Sequence, residues 1–119
     1  MNNNYYIQSV ILQNCPYGNA ARELLKNYSN IKYKEIIVTE LNKENYKTEK
    51  INTFPQIYLK RYNRNGSLLI GGYTELKELF DLFYNKKYST DKIINFINNN
   101  NNWSKKSLLR FIYLINSGF

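Results

Sequence analysis

The single cysteine of this 119-residue chain, Cys15, lies where a predicted strand is followed by a predicted helix. The apolar run from Tyr5 to Leu12 predicts the strand, and Pro16 suits the first turn of a helix. Unpaired backbone N–H groups at a helix N-terminus favour the thiolate, which is the nucleophilic form of cysteine. The placement therefore predicts a catalytic nucleophile. The alternative, a solvent-facing cysteine without a role, stays open from this motif alone.

Two further motifs follow at spacings that could form a binding cleft. Thr53-Phe54-Pro55 precedes a third predicted strand, Gln56 to Arg61. Further on, Gly71-Gly72 precedes a predicted helix that opens with Tyr73-Thr74-Glu75. Glycine allows close backbone approach and positive φ, and the N–H groups of a helix start can hold a carboxylate. On composition alone, Pro55 is expected to follow an ordinary trans bond, because few X–Pro bonds are cis.

Together, Asn14-Cys15-Pro16-Tyr17-Gly18, Thr53-Phe54-Pro55 and the Gly71-Gly72 segment resemble the glutaredoxin family. The resemblance covers about residues 5–84 and implies an α/β, thioredoxin-like fold in three layers, with a four-stranded mixed sheet flanked by helices. We expect residues 1–98 to form this glutaredoxin-like domain. Residues 99–119 are expected to add an Asn-rich linker and an amphipathic helix.

The order of the remaining elements follows from apolar periodicity. Tyr33 to Val38 predicts a strand parallel to the first, and residues 40–50 predict a short polar helix. Asn63 to Gly66 predicts a hairpin turn into a strand over residues 67–70. The helix after Pro16 is expected to end at Ser29-Asn30, and one of its faces is formed by Ala20, Ala21, Leu24, Leu25 and Tyr28. The next long helix is expected to be capped by Thr74. Its core-facing stripe is Leu76, Leu79, Phe80 and Phe83.

Two helices are predicted in the tail. The first spans Ser89 to Asn98 and the second spans Trp103 to Asn116, separated by an Asn-rich linker. The predicted apolar faces are Ile93, Ile94 and Ile97 in the first helix, and Leu108, Leu109, Ile112 and Ile115 in the second. The second face must be buried, either against the core or against a partner such as a second copy of this chain.

The family resemblance assigns roles to individual residues. It implies that Cys15 is catalytic, that Pro16, Tyr17 and Gly18 form the active-site loop, and that Pro55 is cis. It implies glutathione binding by Tyr17, Thr53, Phe54, Pro55, Gly72, Tyr73, Thr74 and Glu75. Many members carry Lys where this chain has Leu12, so Gln13 and Lys50 are the candidates for contacting the glycine carboxylate of glutathione. Tyr17 could instead be a loop aromatic that packs on the core.

Gly18 stands where dithiol members of the family carry a second cysteine, and no other thiol exists in the chain. The resemblance then implies a thioltransferase that reduces protein–glutathione mixed disulfides by a monothiol mechanism, with glutathione as reductant. One alternative is a dimer that holds a [2Fe–2S] cluster through two Cys15 thiolates and two glutathiones. Another is a thioredoxin-like interaction protein without catalysis.

Composition limits the remaining function classes. The net charge is +8, but the lysines are scattered and no basic stripe with interleaved aromatics predicts nucleic-acid binding. Without histidine, and with one thiol, the chain has no zinc-site pattern, so we expect no metal unless Cys15 binds a cluster. The start of the sequence lacks the pattern of a secretory signal, and no apolar run is long enough for a membrane span. We expect a reducing compartment, the cytoplasm, with glutathione and glutathionylated or disulfide-containing proteins as partners.

Overall fold

The structure, a computed structural model, describes residues 4–28, 30–84 and 88–119. In chain order its elements are β1 (Tyr5–Leu12), α1 (Pro16–Lys26), β2 (Tyr33–Val38), a 3₁₀ helix (Lys43–Tyr46), β3 (Gln56–Arg61), β4 (Ser67–Gly71), α2 (Tyr73–Phe83), α3 (Thr90–Asn99) and α4 (Lys105–Ser117). The polar helix expected within residues 40–50 is therefore only one 3₁₀ turn long.

The four strands form one mixed sheet in the order β2-β1-β3-β4. Strand β1 runs parallel to β2, with Ile7 opposite Tyr33 and Leu12 opposite Val38. Strand β3 is antiparallel to both β1 and β4. A parallel pair joined through a helix, followed by an antiparallel hairpin, is the thioredoxin-like α/β arrangement that the sequence predicted.

One face of the sheet carries the core. Ile7, Ile57 and Ile70, from three different strands, are buried in a cluster with residues of the helices. The predicted stripe of α2 is confirmed, because Leu76, Leu79, Phe80 and Phe83 are all buried there. On the other side of the sheet, Gln56 donates from Nε2 to the backbone oxygen of Tyr46 at 2.9 Å, which ties the 3₁₀ turn to β3.

Helix α1 is shorter than expected. It ends at Lys26, where the N–H of Asn27 donates to the carbonyl oxygen of Leu24 at 3.3 Å and the N–H of Tyr28 donates to that of Leu25 at 3.2 Å. The predicted end at Ser29-Asn30 is therefore too late, and Ser29 itself lies outside the described residues. Tyr28 lies beyond the helix and still packs on the core, with its ring stacked on Phe80 at 4.6 Å between centroids.

Helix α3 begins after Ser89, whose hydroxyl accepts from the N–H of Lys92 at 3.3 Å. It buries Ile93 and Phe96, whereas Ile94, expected on the buried face, is 48% exposed. The buried face is therefore formed by Ile93 and Phe96, at i, i+3 spacing, with Ile97 half-buried beside them. Asn99, expected as the first residue of the linker segment, is the last residue of this helix.

Helix α4 belongs to the core. Leu108, Ile112 and Ile115 are buried as expected, but Leu109 is 41% exposed. Phe111 and Leu114 are buried in its place, so the i, i+3, i+4 and i+7 face runs through Leu108, Phe111, Ile112 and Ile115. Of the two alternatives for this face, burial against the core or against a partner, the structure has the first.

Side-chain and aromatic contacts fix α4 in place. Asn116 donates from Nδ2 to the carbonyl oxygen of Phe83 at 3.0 Å, at the end of α2. The ring of Trp103 lies edge-on to Phe96 and to Phe111, at 5.8 Å and 5.6 Å between centroids. The tail helices and the sheet thus share one hydrophobic core.

Candidate functional site

Cys15 is the N-cap residue of α1, with Pro16 in the first helical position. Its backbone is extended, with φ −91° and ψ 124°, and its N–H donates to the carbonyl oxygen of Leu12 at 3.1 Å. The thiol is free and the residue is partly exposed. Cys15 therefore lies at the N-terminal end of α1, which is the positive end of the helix dipole.

A sharp turn at Asn14 brings the chain from β1 into α1. Asn14 has φ +67°, in the left-handed region that asparagine tolerates better than most residues. Before it, the N–H of Gln13 donates to the carbonyl oxygen of Val38 at 2.8 Å and continues the pairing of β1 with β2. Asn14 was not assigned a role from the sequence, although an Asn directly after a strand is a recognised turn signal.

An ion pair holds α1 against the sheet. Arg22 donates to both carboxylate oxygens of Glu35 in β2, with the Nε contact at 2.7 Å and the Nη2 contact at 3.2 Å. The hydrogen bonds and the charge of Glu35 raise the pKa of Arg22 above its usual value. The fork-to-fork geometry fixes the orientation of the helix that carries Cys15.

The Phe54–Pro55 bond is cis, as the resemblance implied. Pro55 is buried directly before β3, Phe54 is partly exposed and Thr53 is exposed. The tripeptide thus reaches the surface at the end of the sheet where β1 gives way to α1.

The Gly-Gly segment makes the third wall. Gly71 has φ +130°, and a Cβ there would lie 2.7 Å from Cγ of Glu75, so a side chain is excluded by both backbone and space. Gly72 is the N-cap residue of α2, and its N–H donates to Oε1 of Glu75 at 2.7 Å. Thr74 was expected as the cap and this was wrong, because the helix already begins at Tyr73 and Glu75 satisfies the donor of Gly72 from within the first turn.

These segments meet around one cleft of about 240 Å³. Its lining contains all eight residues that the resemblance assigned to glutathione: Tyr17, Thr53, Phe54, Pro55, Gly72, Tyr73, Thr74 and Glu75. We call it the Tyr17 cleft. Tyr17 is 63% exposed, so it is a wall of this cleft and not a loop aromatic packed into the core. Cys15 is two residues from Tyr17 in the chain and is not itself part of the lining.

The two candidates for a carboxylate contact differ in position. Lys50 lines a neighbouring cleft of about 380 Å³ that shares Thr53, Gly72 and Glu75 with the Tyr17 cleft. Gln13 is exposed beside Cys15 and lines neither cleft. Of the two candidates, Lys50 is therefore the one that lines a cleft adjoining the Tyr17 cleft. Leu12 is partly exposed at the end of β1.

Within the described ranges, no group of three or more His, Cys, Asp or Glu side chains is arranged to hold a metal ion. A cluster shared between two chains would draw only Cys15 from each. No helix in the described part of the chain is both long and apolar enough to cross a membrane.

The family model described as Glutaredoxin matches residues 5–61, from the first residue of β1 to the last residue of β3. The matched segment contains Cys15 and the cis Pro55 but neither the Gly-Gly segment nor the tail helices. No curated protein matches the chain.

Proposed function

Because the chain belongs to the glutaredoxin family, we propose that it is a thiol–disulfide oxidoreductase that uses glutathione to reduce protein–glutathione mixed disulfides. Cys15 is the nucleophile in this proposal, and glutathione is both bound ligand and reductant. Glutathionylated or disulfide-containing proteins are the substrates.

One observation carries the proposal. The Tyr17 cleft gathers three segments that are far apart in sequence, and the eight residues assigned to glutathione binding, apart from the two candidates for the glycine carboxylate, all contribute to its lining. Phe54 is partly exposed next to the cis bond, so its backbone N–H and carbonyl oxygen can pair with a peptide laid alongside it, in the manner of an added strand. The start of α2 offers N–H groups suited to a carboxylate, although Glu75 already occupies that of Gly72.

The first step is an exchange of one disulfide for another. The Cys15 thiolate attacks the glutathione sulfur of a mixed disulfide, and a new disulfide forms between Cys15 and glutathione. The bond between glutathione and the protein substrate breaks, and the substrate leaves as a thiolate that takes up a proton. The electron count is unchanged, since one disulfide replaces another.

The second step needs an external thiol. Gly18 stands where a resolving cysteine would be, and the chain contains only one cysteine. A second glutathione thiolate therefore attacks the Cys15-bound glutathione, which yields glutathione disulfide and regenerates the Cys15 thiolate. A reducing compartment such as the cytoplasm supplies this glutathione, and the net charge of +8 draws the anionic tripeptide by weak steering.

The test is a glutathione-dependent deglutathionylation assay on wild type and Cys15→Ser side by side. Turnover is expected only with wild type and only when reduced glutathione is present. Melting curves show whether Cys15→Ser keeps the fold, which it should because the thiol is partly exposed and makes no disulfide. Equal turnover by the two proteins would refute the assignment of Cys15. Visible absorbance that Cys15→Ser loses would support the [2Fe–2S] alternative instead.

A further inference from the structure

A second, larger cavity lies at the other end of the sheet from Cys15. It has a volume of about 730 Å³ and is lined by the first residue of β1, the end of β3, the β3–β4 turn, the start of β4 and the first two turns of α4. Four cationic side chains line it: Arg61, Arg64, Lys106 and Arg110. We call it the arginine cavity.

Most of the arginines of the chain line this one cavity. The chain has four arginines, and three of them line this cavity. The fourth, Arg22, is paired with Glu35. Four cations that share one cavity repel each other, and natural surfaces usually intersperse opposite charges. Their gathering in one place indicates a ligand that neutralises them.

No acidic residue balances these charges within the described part of the chain. The lining contains neither Asp nor Glu. The five ion pairs found among the described residues involve Arg22, Lys26, Lys43, Lys47 and Lys77 as cations. Arg61 instead lies over the ring of Tyr5, with its guanidinium carbon 5.6 Å from the ring centroid.

We propose that the arginine cavity binds a small polyphosphate anion, either a free phosphate chain or the phosphate chain of a nucleotide. Guanidinium groups match phosphate oxygens with two parallel hydrogen bonds, and they stay charged at any physiological pH. A volume of 730 Å³ is in the range of small-molecule sites, roughly 300–1,000 Å³. Among ligands of that size, a triphosphate carries enough negative charge to meet four cations.

The cavity lining also has an apolar part that could receive a base. Tyr5, Leu59 and Leu68 supply an aromatic ring and apolar carbon to the same cavity. The hydroxyl of Ser67, in the exposed first position of β4, adds a donor. Ser104 and Ser107 are also in the lining, but they cap α4 through their own hydrogen bond of 3.0 Å, so the proposal does not depend on them.

The cavity is separate from the Tyr17 cleft. The two share no lining residue. Tyr5 begins β1 and Cys15 follows its end, so the eight-residue strand separates them by roughly 25 Å at about 3.3 Å per residue. The proposal is therefore independent of the glutathione proposal, and failure of either leaves the other standing.

The experiment is a calorimetric titration of the full chain with inorganic tripolyphosphate and, in parallel, with magnesium-free ATP. We expect saturable binding of one anion per chain. The variant Arg64→Gln with Arg110→Gln removes two exposed cavity cations and should weaken binding at least tenfold. The control, Lys32→Gln with Lys92→Gln, removes two exposed cations outside the cavity, and its affinity for each anion should stay within twofold of that of wild type. The two double variants are matched in charge, because each lowers the net charge from +8 to +6.

Each outcome decides something. Tighter binding of ATP than of tripolyphosphate assigns the Tyr5 and Leu68 wall to the base, and equal affinity assigns recognition to the phosphate chain alone. Equal weakening in the two double variants would show attraction by net charge only and would overturn the proposal. So would an affinity for both probes no better than that for sulfate at the same ionic strength. A cooperative melting transition like that of wild type verifies the fold of the cavity variant; Lys106→Gln provides a second cavity variant.

Discussion

Gly18 is the residue on which both the proposed monothiol mechanism and the packing of α1 against the sheet depend. It is the third residue of α1 and is buried against Ile11 of β1, which is itself 3% exposed. A Cβ at position 18 would lie 2.5 Å from Cγ2 of Ile11. Because Ile11 is β-branched, its χ1 is stiff and the methyl group cannot easily move away. The position that lacks a second thiol is therefore also one where any side chain must displace the sheet.

Gly18→Ala should destabilise the fold by about 1–3 kcal/mol, the usual cost of overpacking, despite the better helix propensity of alanine. Urea denaturation measures this loss. The control is Gly66→Ala, since a Cβ there meets nothing within 4 Å. In the double variant with Ile11→Ala the combined loss should be smaller than the sum of the single losses, as expected for residues in contact. Additive losses would contradict the contact.

Lys50 is the residue-scale test of glutathione recognition. Its cleft adjoins the Tyr17 cleft through three shared residues, so its ammonium group can attract a ligand carboxylate there. Lys50 is exposed, and a solvent-screened ion pair is worth roughly 0.2–1 kcal/mol. Lys50→Gln should therefore raise the Michaelis constant for glutathione by roughly two- to fivefold and leave turnover unchanged. Lys32→Gln removes an exposed lysine directly before β2 and should change neither the Michaelis constant nor the turnover. If Lys32→Gln raised the Michaelis constant as much as Lys50→Gln does, the effect of Lys50 would be one of net charge only.

At the scale of elements, β1 contains a polar defect. Ser9 is 1% exposed in the middle of the strand, opposite Glu35 and Ile57. Among the described residues, its hydroxyl is the one buried side-chain group without a hydrogen-bond partner. A buried hydroxyl without a partner costs roughly 1–3 kcal/mol.

Ser9→Ala should therefore leave the free energy of unfolding unchanged or raise it by up to about 1 kcal/mol. The gain is smaller than the full cost of the hydroxyl because the smaller side chain leaves some space. Denaturation in urea at neutral pH is the measurement. A loss of more than about 1 kcal/mol would show that the hydroxyl has a partner in solution.

Helix α4 is an integral part of the fold, and one substitution tests this. Phe111 is fully buried, with its ring 6.3 Å from that of Phe80 and 5.6 Å from that of Trp103. Phe111→Ala should cost about 3–5 kcal/mol, the usual range for a core phenylalanine. Leu109→Ala, on the same helix and 41% exposed, should cost far less. Similar losses for the two variants would place the helix away from the core.

Removal of the whole segment after Asn99 should then unfold the chain. The segment contributes seven buried large apolar residues: Trp103, Leu108, Phe111, Ile112, Leu114, Ile115 and Phe119. Each contributes about 1.5–3 kcal/mol by burial, which together matches the total stability of a domain of this size.

At the scale of the whole molecule, the sequence correctly predicted the structural elements that are determined by residues adjacent in the chain. The first three strands have the predicted bounds, because each is a run rich in β-branched and aromatic residues that begins directly after Asn4, Lys32 or Pro55. Errors arose where a side-chain contact decides, whether within one helical turn or between distant segments. Thr74 is a good cap by residue type, but the carboxylate of Glu75 reaches Gly72 first. The arginine cavity was not foreseen, since its cations come from segments about 40 residues apart that only the packing of α4 brings together.

The last prediction concerns the stability of the molecule at alkaline pH. Burial, with lesser contributions from Tyr84 and Asp81, raises the pKa of Tyr28 above its ordinary value of 10.0. Burial raises the pKa of Tyr58 in the same direction. A phenol whose pKa is higher in the folded state favours folding below the unfolded-state pKa, and this contribution is lost as pH rises through the folded-state pKa. The fold should therefore lose stability above about pH 10.

Tyr28→Phe isolates one part of this loss. The variant keeps the ring that stacks on Phe80 but cannot ionise, so the free energy of unfolding should fall less steeply with pH above about 10 than in wild type. Tyr113→Phe is the matched control, because this ring is 52% exposed on α4 and its hydroxyl is not buried. Urea midpoints measured between neutral pH and about pH 11 give the slopes. Identical slopes for wild type and Tyr28→Phe would mean that Tyr28 ionises as readily in the folded chain as in the unfolded one.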